Sequence, residues 1–338
     1  MTDHKPDPAT TIKRLVDGYQ VSQAIHVAAA LGIADLLAGG SHTSEELAAS
    51  TQTHPRTLYR LLRALASVDI VRELDGHSFE LTSLGERLRS DVPDSIAGWA
   101  AYIGRPCYWQ AWTGLLHSVR TGENAFQHIH DSDIWTYRSS RPDENAIFDR
   151  AMTTLSRRSN AALLAGYNFG RYRTIVDVGG GNGALLAAIL AAYPALEGVL
   201  FDQPHVIGGA SVVLERAGVA ERCRVVAGSF FEGVPEGADS YLLRAVIHDW
   251  KDEQAIRILG VVRRAIQSEG TVLLIERIIA SPNQGRDAKF SDLNMLVGPG
   301  GQERTRAEFA ALLDAGGFRL ADVVDTGGYS VLEALPAR

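Results

Sequence analysis

Four polar side chains toward the end of the 338-residue chain have the types and spacing for proton chemistry beside a charged ligand: Arg244, His248, Glu276 and Glu303. Tyr241-Leu-Leu-Arg244 reads as the end of an apolar strand, and Ala-Val-Ile-His-Asp-Trp250 then carries His248 and Asp249 onto the loop beyond it. Ligands of open α/β sheets bind beyond the carboxyl ends of the strands. A lone histidine is more often a hydrogen-bonded structural group, so its company decides the reading. Glu276 ends the next apolar strand and Glu303 lies in Gly300-Gly-Gln-Glu-Arg-Thr305, so both acids can reach the same rim. Taken singly, each would read as an exposed carboxylate or one facing a helix dipole.

A second group of residues suits a nucleoside. Ile175-Val-Asp-Val-Gly-Gly-Gly-Asn-Gly-Ala184 runs an apolar strand into a glycine-rich turn and a helix beginning near Ala184. Glycines at 179, 181 and 183 permit positive φ and let a ligand approach the backbone. The spacing Gly179-x-Gly181-x-x-Ala184 also satisfies the permissive dinucleotide fingerprint, which leaves NAD and other adenosine cofactors open. Val199-Leu-Phe-Asp202 forms a second strand ending in an acid, where a carboxylate can take ribose hydroxyls. The P-loop pattern Gly-x-x-x-x-Gly-Lys-[Ser/Thr] does not occur, which argues against nucleoside-triphosphate hydrolysis.

These residues need a sheet to hold them. From Thr174 onward apolar strands at 174–178, 197–201, 223–227, 240–244 and 271–275 alternate with helices, the pattern of a parallel α/β sheet. Pro194 ends the first crossover helix, Asp252-Glu253 opens another, and Thr305-x-x-Glu308 caps the last before Gly316-Gly317. Phe318–Asp325 and Tyr329–Leu335 flank Thr-Gly-Gly and are expected to close the sheet edge as an antiparallel pair. Upstream, Thr11–Leu31 has the apolar spacing of one long helix whose broad face needs a partner. Thr43-Ser-Glu-Glu46 is a capping box, Pro55 opens a helix to about Val68, and Val71–Leu81 alternates around Asp75-Gly76 as a two-residue hairpin. Three helices and a hairpin spell a winged helix over residues 1–95. Residues 96–165 hold four of the five tryptophans and form a helical connector able to wall an apolar pocket, and 166–338 form the sheet domain.

A winged helix invites a DNA-binding reading, and Arg56, Arg60 and Arg63 fall on one face of its third helix. Residues 1–90 nevertheless carry nine basic and eleven acidic groups, so packing or dimerisation is favoured, with no nucleic-acid partner. The whole chain has a formal charge of −7 and a pI near 5.8, which suits small-molecule chemistry rather than an anionic polymer or membrane. Cys107 and Cys223 lack disulfide or zinc spacing. The longest apolar run, Ala184–Ala192, is far short of a membrane span, so a soluble cytoplasmic chain is expected.

Asp177-Val-Gly-Gly-Gly-Asn-Gly, Phe201-Asp-Gln-Pro, Gly228-Ser-Phe-Phe, His248-Asp-Trp and Gly301-Gln-Glu-Arg-Thr, in this order behind a winged helix, resemble the caffeate-type S-adenosylmethionine-dependent O-methyltransferases and their bacterial natural-product relatives. The resemblance spans nearly the whole chain. It implies a Rossmann-like seven-stranded α/β sheet, parallel with an antiparallel closing hairpin, behind an α-helical winged-helix dimerisation domain. It implies S-adenosyl-L-methionine as cofactor, an aromatic small-molecule acceptor and a homodimer. Metal-dependent transfer would need Asp249 and Asp252 to converge with a third oxygen ligand, and the sequence offers none, so no metal is expected. By the same similarity Gly179 and Gly181 back the cofactor's methionine portion, Asp202 binds ribose, Phe230 packs on adenine and Arg244 faces the carboxylate. His248 is the general base, flanked by Glu276 and Glu303, and Phe148, Met152, Asn294 and Met295 match acceptor-pocket positions. One departure is visible: Ser229 stands where the family commonly has an acid that recognises adenine. The alternatives are an NAD-dependent oxidoreductase, which leaves the His-Asp-Trp and Glu-Arg-Thr segments unexplained, and a ligand-sensing DNA-binding regulator.

Overall fold

The computed structural model describes residues 7–337. They form two compact units, one from the chain up to Trp109 with Arg138–Arg158, the other from Gln110–Tyr137 with Ser159 onward. The aromatic-rich stretch 96–165 is thus shared between them.

In the first unit the single long helix expected over 11–31 is two, Pro8–Val16 and Gly18–Ala30. The break falls at Asp17-Gly18, two poor helix formers, where the Asp17 carboxylate turns back to pair with Lys13. Ile12, Leu15, Val16 and Tyr19 stay more than half exposed. The capping box forms as expected: Glu46 N–H donates to Thr43 Oγ1 at 3.2 Å and Thr43 N–H to the Glu46 carboxylate at 2.8 Å. Helix Pro55–Ala66 buries Leu58, Leu62 and Leu65 and leaves Arg56, Arg60 and Arg63 exposed. Beside it, Glu73 accepts the Tyr59 hydroxyl at 2.8 Å, the Arg63 guanidinium lies 5.3 Å from the Tyr59 ring centroid, and Glu80 pairs with Arg72 across the neighbouring strands.

Strands β1 (His42–Thr43), β2 (Val71–Leu74) and β3 (Ser78–Leu81) make a small sheet in the order β1-β3-β2. Leu74 pairs with Ser78, so the hairpin loop has three residues, Asp75–His77, instead of two. Gly76 and His77 both hold left-handed φ, 72° and 55°, and the extra residue brings the His77 ring to 4.3 Å from that of Tyr59.

The second unit holds a seven-stranded sheet: β4 (Thr174–Val178), β5 (Glu197–Asp202), β6 (Cys223–Ala227), β7 (Ser240–Arg244), β8 (Thr271–Glu276), β9 (Phe318–Asp325) and β10 (Ser330–Pro336). Their spatial order is β6-β5-β4-β7-β8-β10-β9. The first five run parallel and β10 is antiparallel to both neighbours, as expected. The order reverses between β4 and β7, which makes their carboxyl ends the ligand-binding crevice. Alternate residues feed two cores, with Val176, Leu243, Val272 and Leu274 on one face and Ile175, Leu242, Leu273 and Ile275 on the other. No helix among the described residues is long and apolar enough to cross a membrane.

Replacing Thr43 by Ala removes the N-cap acceptor of helix Ser44–Thr51. A loss of about 1 kcal/mol is expected, read as a lower urea midpoint for the first unit. An unchanged midpoint would show that the cap contributes nothing.

Candidate active site

β4 delivers the chain into a turn whose glycines have different jobs. Gly179, Gly181 and Gly183 hold φ of 72°, 63° and 79°, a region side chains avoid. A Cβ at Gly180 would lie 2.5 Å from the Leu200 side chain and 2.7 Å from Asp177 Oδ2, so the turn is closed from below. At Gly181 a Cβ would meet nothing within 4 Å. The result is a cradle with one open, side-chain-free face, which fits a nucleoside cofactor. Asp202, ending β5, closes its far side: Oδ2 accepts the Gly181 N–H at 2.8 Å and Oδ1 the Gln203 N–H at 2.6 Å. Burial raises the Asp202 pKa and these two N–H donors oppose the rise.

Beyond β6, Ser229 Oγ accepts the Phe231 N–H at 3.3 Å, folding a short turn. It presents Phe230, whose ring meets those of Phe231 and Trp250 edge-on at 5.1 and 5.9 Å. At the end of β7, Arg244 donates to Asn160 Oδ1 at 2.5 Å and to Ser159 Oγ, with its guanidinium 5.3 Å from the Tyr329 ring centroid. Among the described residues no carboxylate lies within ion-pair distance of it, so its charge is open to an anionic ligand.

The next residue, Ala245, takes a left-handed φ of 51° and turns the chain out of the sheet. That turn aims the Val246 and Ile247 N–H groups at Glu276 Oε1, at 3.2 and 2.8 Å, and swings His248 back over β8. His248 is 8% exposed, and Glu276 and Glu303 are almost wholly buried. Nδ1 of His248 hydrogen-bonds Glu303 Oε1 at 3.1 Å and lies 3.3 Å from Glu276 Oε2. Both acids are therefore on the same ring nitrogen, and only a proton on Nδ1 satisfies them. Nε2 is 3.6 Å from Asp249 Oδ1, too far for a hydrogen bond. Burial opposes charging of the imidazole, but Glu276, Asp249 and Glu303 outweigh it and hold its pKa well above the ordinary 6.5. Burial pushes the Glu276 carboxyl up to about 7, against the pull of His248.

Single atoms of the three groups lie within 4.8 Å of one another, compact enough for an ion, yet the Nδ1 hydrogen bond shows them serving each other. The other acid that a metal reading would need, Asp252, has its Oδ1 bound by Arg304 and Gln302.

His248, Glu276, Glu303, Asp202, Gly179, Gly181, Ser229, Phe230 and Arg244 all belong to the second unit, as do Asn294 and the buried Met295. Phe148 and Met152 belong to the first, where the Arg138 guanidinium lies 3.4 Å from the Phe148 ring centroid. Sequence reasoning misses Ser291, which donates to Glu303 Oε1 at 2.7 Å, and Asp292, which accepts the Glu303 N–H at 2.9 Å. No local pattern marks them. It also passes over Asp177, 2% exposed with Oδ2 unpartnered, whose carboxyl burial pushes up to about 7.

Asp177 gives a pH test. Its folded pKa lies above its unfolded value near 3.8, so the folded state keeps a proton that the unfolded chain has lost, and stability falls as pH rises from about 4 to about 7. Asp177→Asn should be more stable than the parent at pH 8 by a few kcal/mol, with a smaller gap at pH 5. Denaturant unfolding at both values measures it; a pH-independent gap would refute the assignment.

Comparison with known proteins places this geometry. Residues 112–319 match the O-methyltransferase domain and residues 13–91 the O-methyltransferase dimerisation domain. The chain is 39% identical to the phenazine O-methyltransferase PhzM of Lysobacter antibioticus, over 97% of this chain and 96% of that one. It is 37% identical to the 8-amino-8-demethylriboflavin N,N-dimethyltransferase of Streptomyces davaonensis, over 93% and 91%. Among solved structures, the O-methyltransferase NcsB1 from neocarzinostatin biosynthesis, in complex with S-adenosylmethionine and 2-hydroxy-5-methyl naphthoic acid, superposes with a TM-score of 0.81 at 32% identity, covering 94% of this chain and 96% of that one. Two matched domains and a relative covered almost end to end show that the chain belongs to the S-adenosylmethionine-dependent O-methyltransferases.

Proposed function

We propose that this enzyme methylates a phenolic hydroxyl of an aromatic small molecule, with His248 as general base. The carrying observation is the orientation of that imidazole: Nδ1 is held by two buried carboxylates, which leaves Nε2 as the nitrogen for an acceptor. S-adenosylmethionine supplies an electrophilic methyl group when bound. Gly179 and Gly181 back its methionine portion, Asp202 takes its ribose, Ser229 and Phe230 meet adenine, and Arg244 its carboxylate. Within the second unit, Asn294 and Met295 contact the acceptor ring. Support for an aromatic acceptor comes from the naphthoic acid bound to NcsB1.

A phenol of pKa about 10 is mostly protonated at neutral pH, and full proton transfer to an ordinary imidazole would cost about 5 kcal/mol. Glu276, Asp249 and Glu303 raise the basicity of His248 and narrow that gap. The same shift means that the imidazole must first lose its own proton, so turnover rises with pH through a pKa above 6.5. An amine acceptor, as in the riboflavin relative, gains little from a base, because its nitrogen attacks through a lone pair before any proton leaves.

His248→Ala should bind S-adenosylmethionine as the parent does, yet lose about 10² to 10⁴ in turnover. The loss should shrink for nitrophenols already ionised at assay pH. Equal loss across acidic and ordinary phenols, by mass spectrometry of the methylated products, would reassign His248 to positioning.

We also propose a homodimer closed by the apolar face of Ile12, Leu15, Val16 and Tyr19, acting as a cytoplasmic enzyme without nucleic-acid or membrane partners. A face this apolar is a strong association surface. The protein should sediment as a dimer and Leu15→Asp with Val16→Asp as a monomer; a monomeric parent at micromolar concentration would overturn the proposal.

A further inference from the structure

Arg304 is among the largest fully buried side chains of the protein, 1% exposed, and it touches neither His248 nor either of its carboxylates. Its guanidinium is spent on the loop that carries the histidine. Nη1 donates to the Ile247 carbonyl at 3.3 Å and the Gln302 carbonyl at 3.2 Å, Nη2 to the Trp250 carbonyl at 2.9 Å and Asp252 Oδ1 at 2.7 Å, and Nε to Asp252 Oδ1 at 3.0 Å. The carbonyls before and after His248-Asp249 are therefore gripped by one rigid fork. The carbonyl of His248 itself accepts the Gln302 N–H at 2.9 Å.

Gly301 lets the two segments come this close. A Cβ there would sit 2.1 Å from the His248 carbonyl oxygen, 2.4 Å from the Asp249 carbonyl carbon and 2.6 Å from the Trp250 nitrogen, all backbone atoms that cannot swing away. The same segment is tied to the chain beyond β8, where Ile279 N–H donates to the Arg304 carbonyl at 3.0 Å and Ile278 bridges Arg304 in parallel. Glu303, which holds Nδ1, lies between Gln302 and Arg304. The loop bearing the imidazole and the segment bearing its carboxylate are thus fastened together by contacts within two residues of the 3.1 Å bond between them.

We propose that Arg304 and Gly301 are positioning residues that fix His248 against Glu303, Arg304 by clamping the carbonyls on both sides of the histidine and Gly301 by admitting the two backbones to contact. This rests on the reading of His248 as base. A lysine at 304 keeps the charge for Asp252 but has no planar fork to span Ile247, Gln302 and Trp250. Misplacement of a reacting group by an ångström costs about 100-fold.

The test uses the full-length enzyme and the variants Gly301→Ala and Arg304→Lys, each also combined with His248→Ala. In protein carrying ¹⁵N-labelled histidine, the low-field proton of the Nδ1–H···Glu303 bond is identified by its loss in His248→Ala. It should shift or broaden away in both positioning variants, while S-adenosylmethionine binding by calorimetry stays within about twofold. Methyl transfer to 1,4-dihydroxy-2-naphthoic acid and to a panel of simple phenols should fall about 10- to 100-fold in the histidine-containing background and less than about twofold further once His248 is alanine. An unmoved low-field proton, a parallel loss of cofactor affinity, or an equal loss in both backgrounds would overturn the proposal. If Gly301→Ala does not fold, Arg304→Lys carries the same comparison, and Asp252→Asn, at an exposed carboxylate, supplies the second variant. Full activity of His248→Ala alone would instead defeat the base assignment, while the proton signal would still report on the clamp.

Discussion

Three ionisable groups removed from water, with one imidazole N–H bonded to Glu303 and facing the charge of Glu276, set the constraint around which the catalytic unit is built. Buried charges are tolerated only when paired and hydrogen-bonded. Glu276 meets this with backbone N–H groups that the left-handed turn at Ala245 aims at it, and Glu303 with the Ser291 hydroxyl and the imidazole. The remaining oxygen of each acid has no hydrogen-bond donor. That deficit is the electrostatic pressure that holds a proton on the histidine, and it keeps the other ring nitrogen turned away from the acids.

The glycine cradle solves a different problem at the same sheet edge. There the protein keeps side chains out, with Asp177 and Leu200 filling the space beneath the turn and Asp202 bonding its outer N–H. The two devices meet because β4 and β7 are adjacent at the point where strand order reverses. Val246, on the loop from β7, lies against Gly179, so the approach of that loop to the turn is itself controlled by the missing Cβ.

Much of this is legible in the residues themselves. Strands buried on both faces are continuous apolar runs, which is why β4, β5, β7 and β8 are found to within a residue, and capping boxes declare themselves by composition. Strand-end logic and family resemblance together bring out His248, Glu276 and Glu303. Contacts made through space are not so marked: Ser291 and Asp292 lie on a helix whose pattern says nothing of a carboxylate beyond it, and Arg304, though part of the Gly-Gln-Glu-Arg-Thr segment, carries no sign in the sequence of the five bonds it makes. The break at Asp17 and the third loop residue at His77 escape because weak propensities and one ring contact decide them, and periodicity carries neither.

The place of β10 in the sheet has a consequence for how the protein is made. It lies between β8 and β9, so β8 gains its second neighbour only from the strand synthesised last of the seven, and Ser330 pairs with Glu276 itself. A nascent chain that has finished β8 holds an apolar strand with an unpaired edge for as long as it takes to add some sixty residues at about 5 to 20 per second. Completion of the catalytic unit therefore waits on the last strand to emerge, and until then β8 is the edge on which another chain could pair.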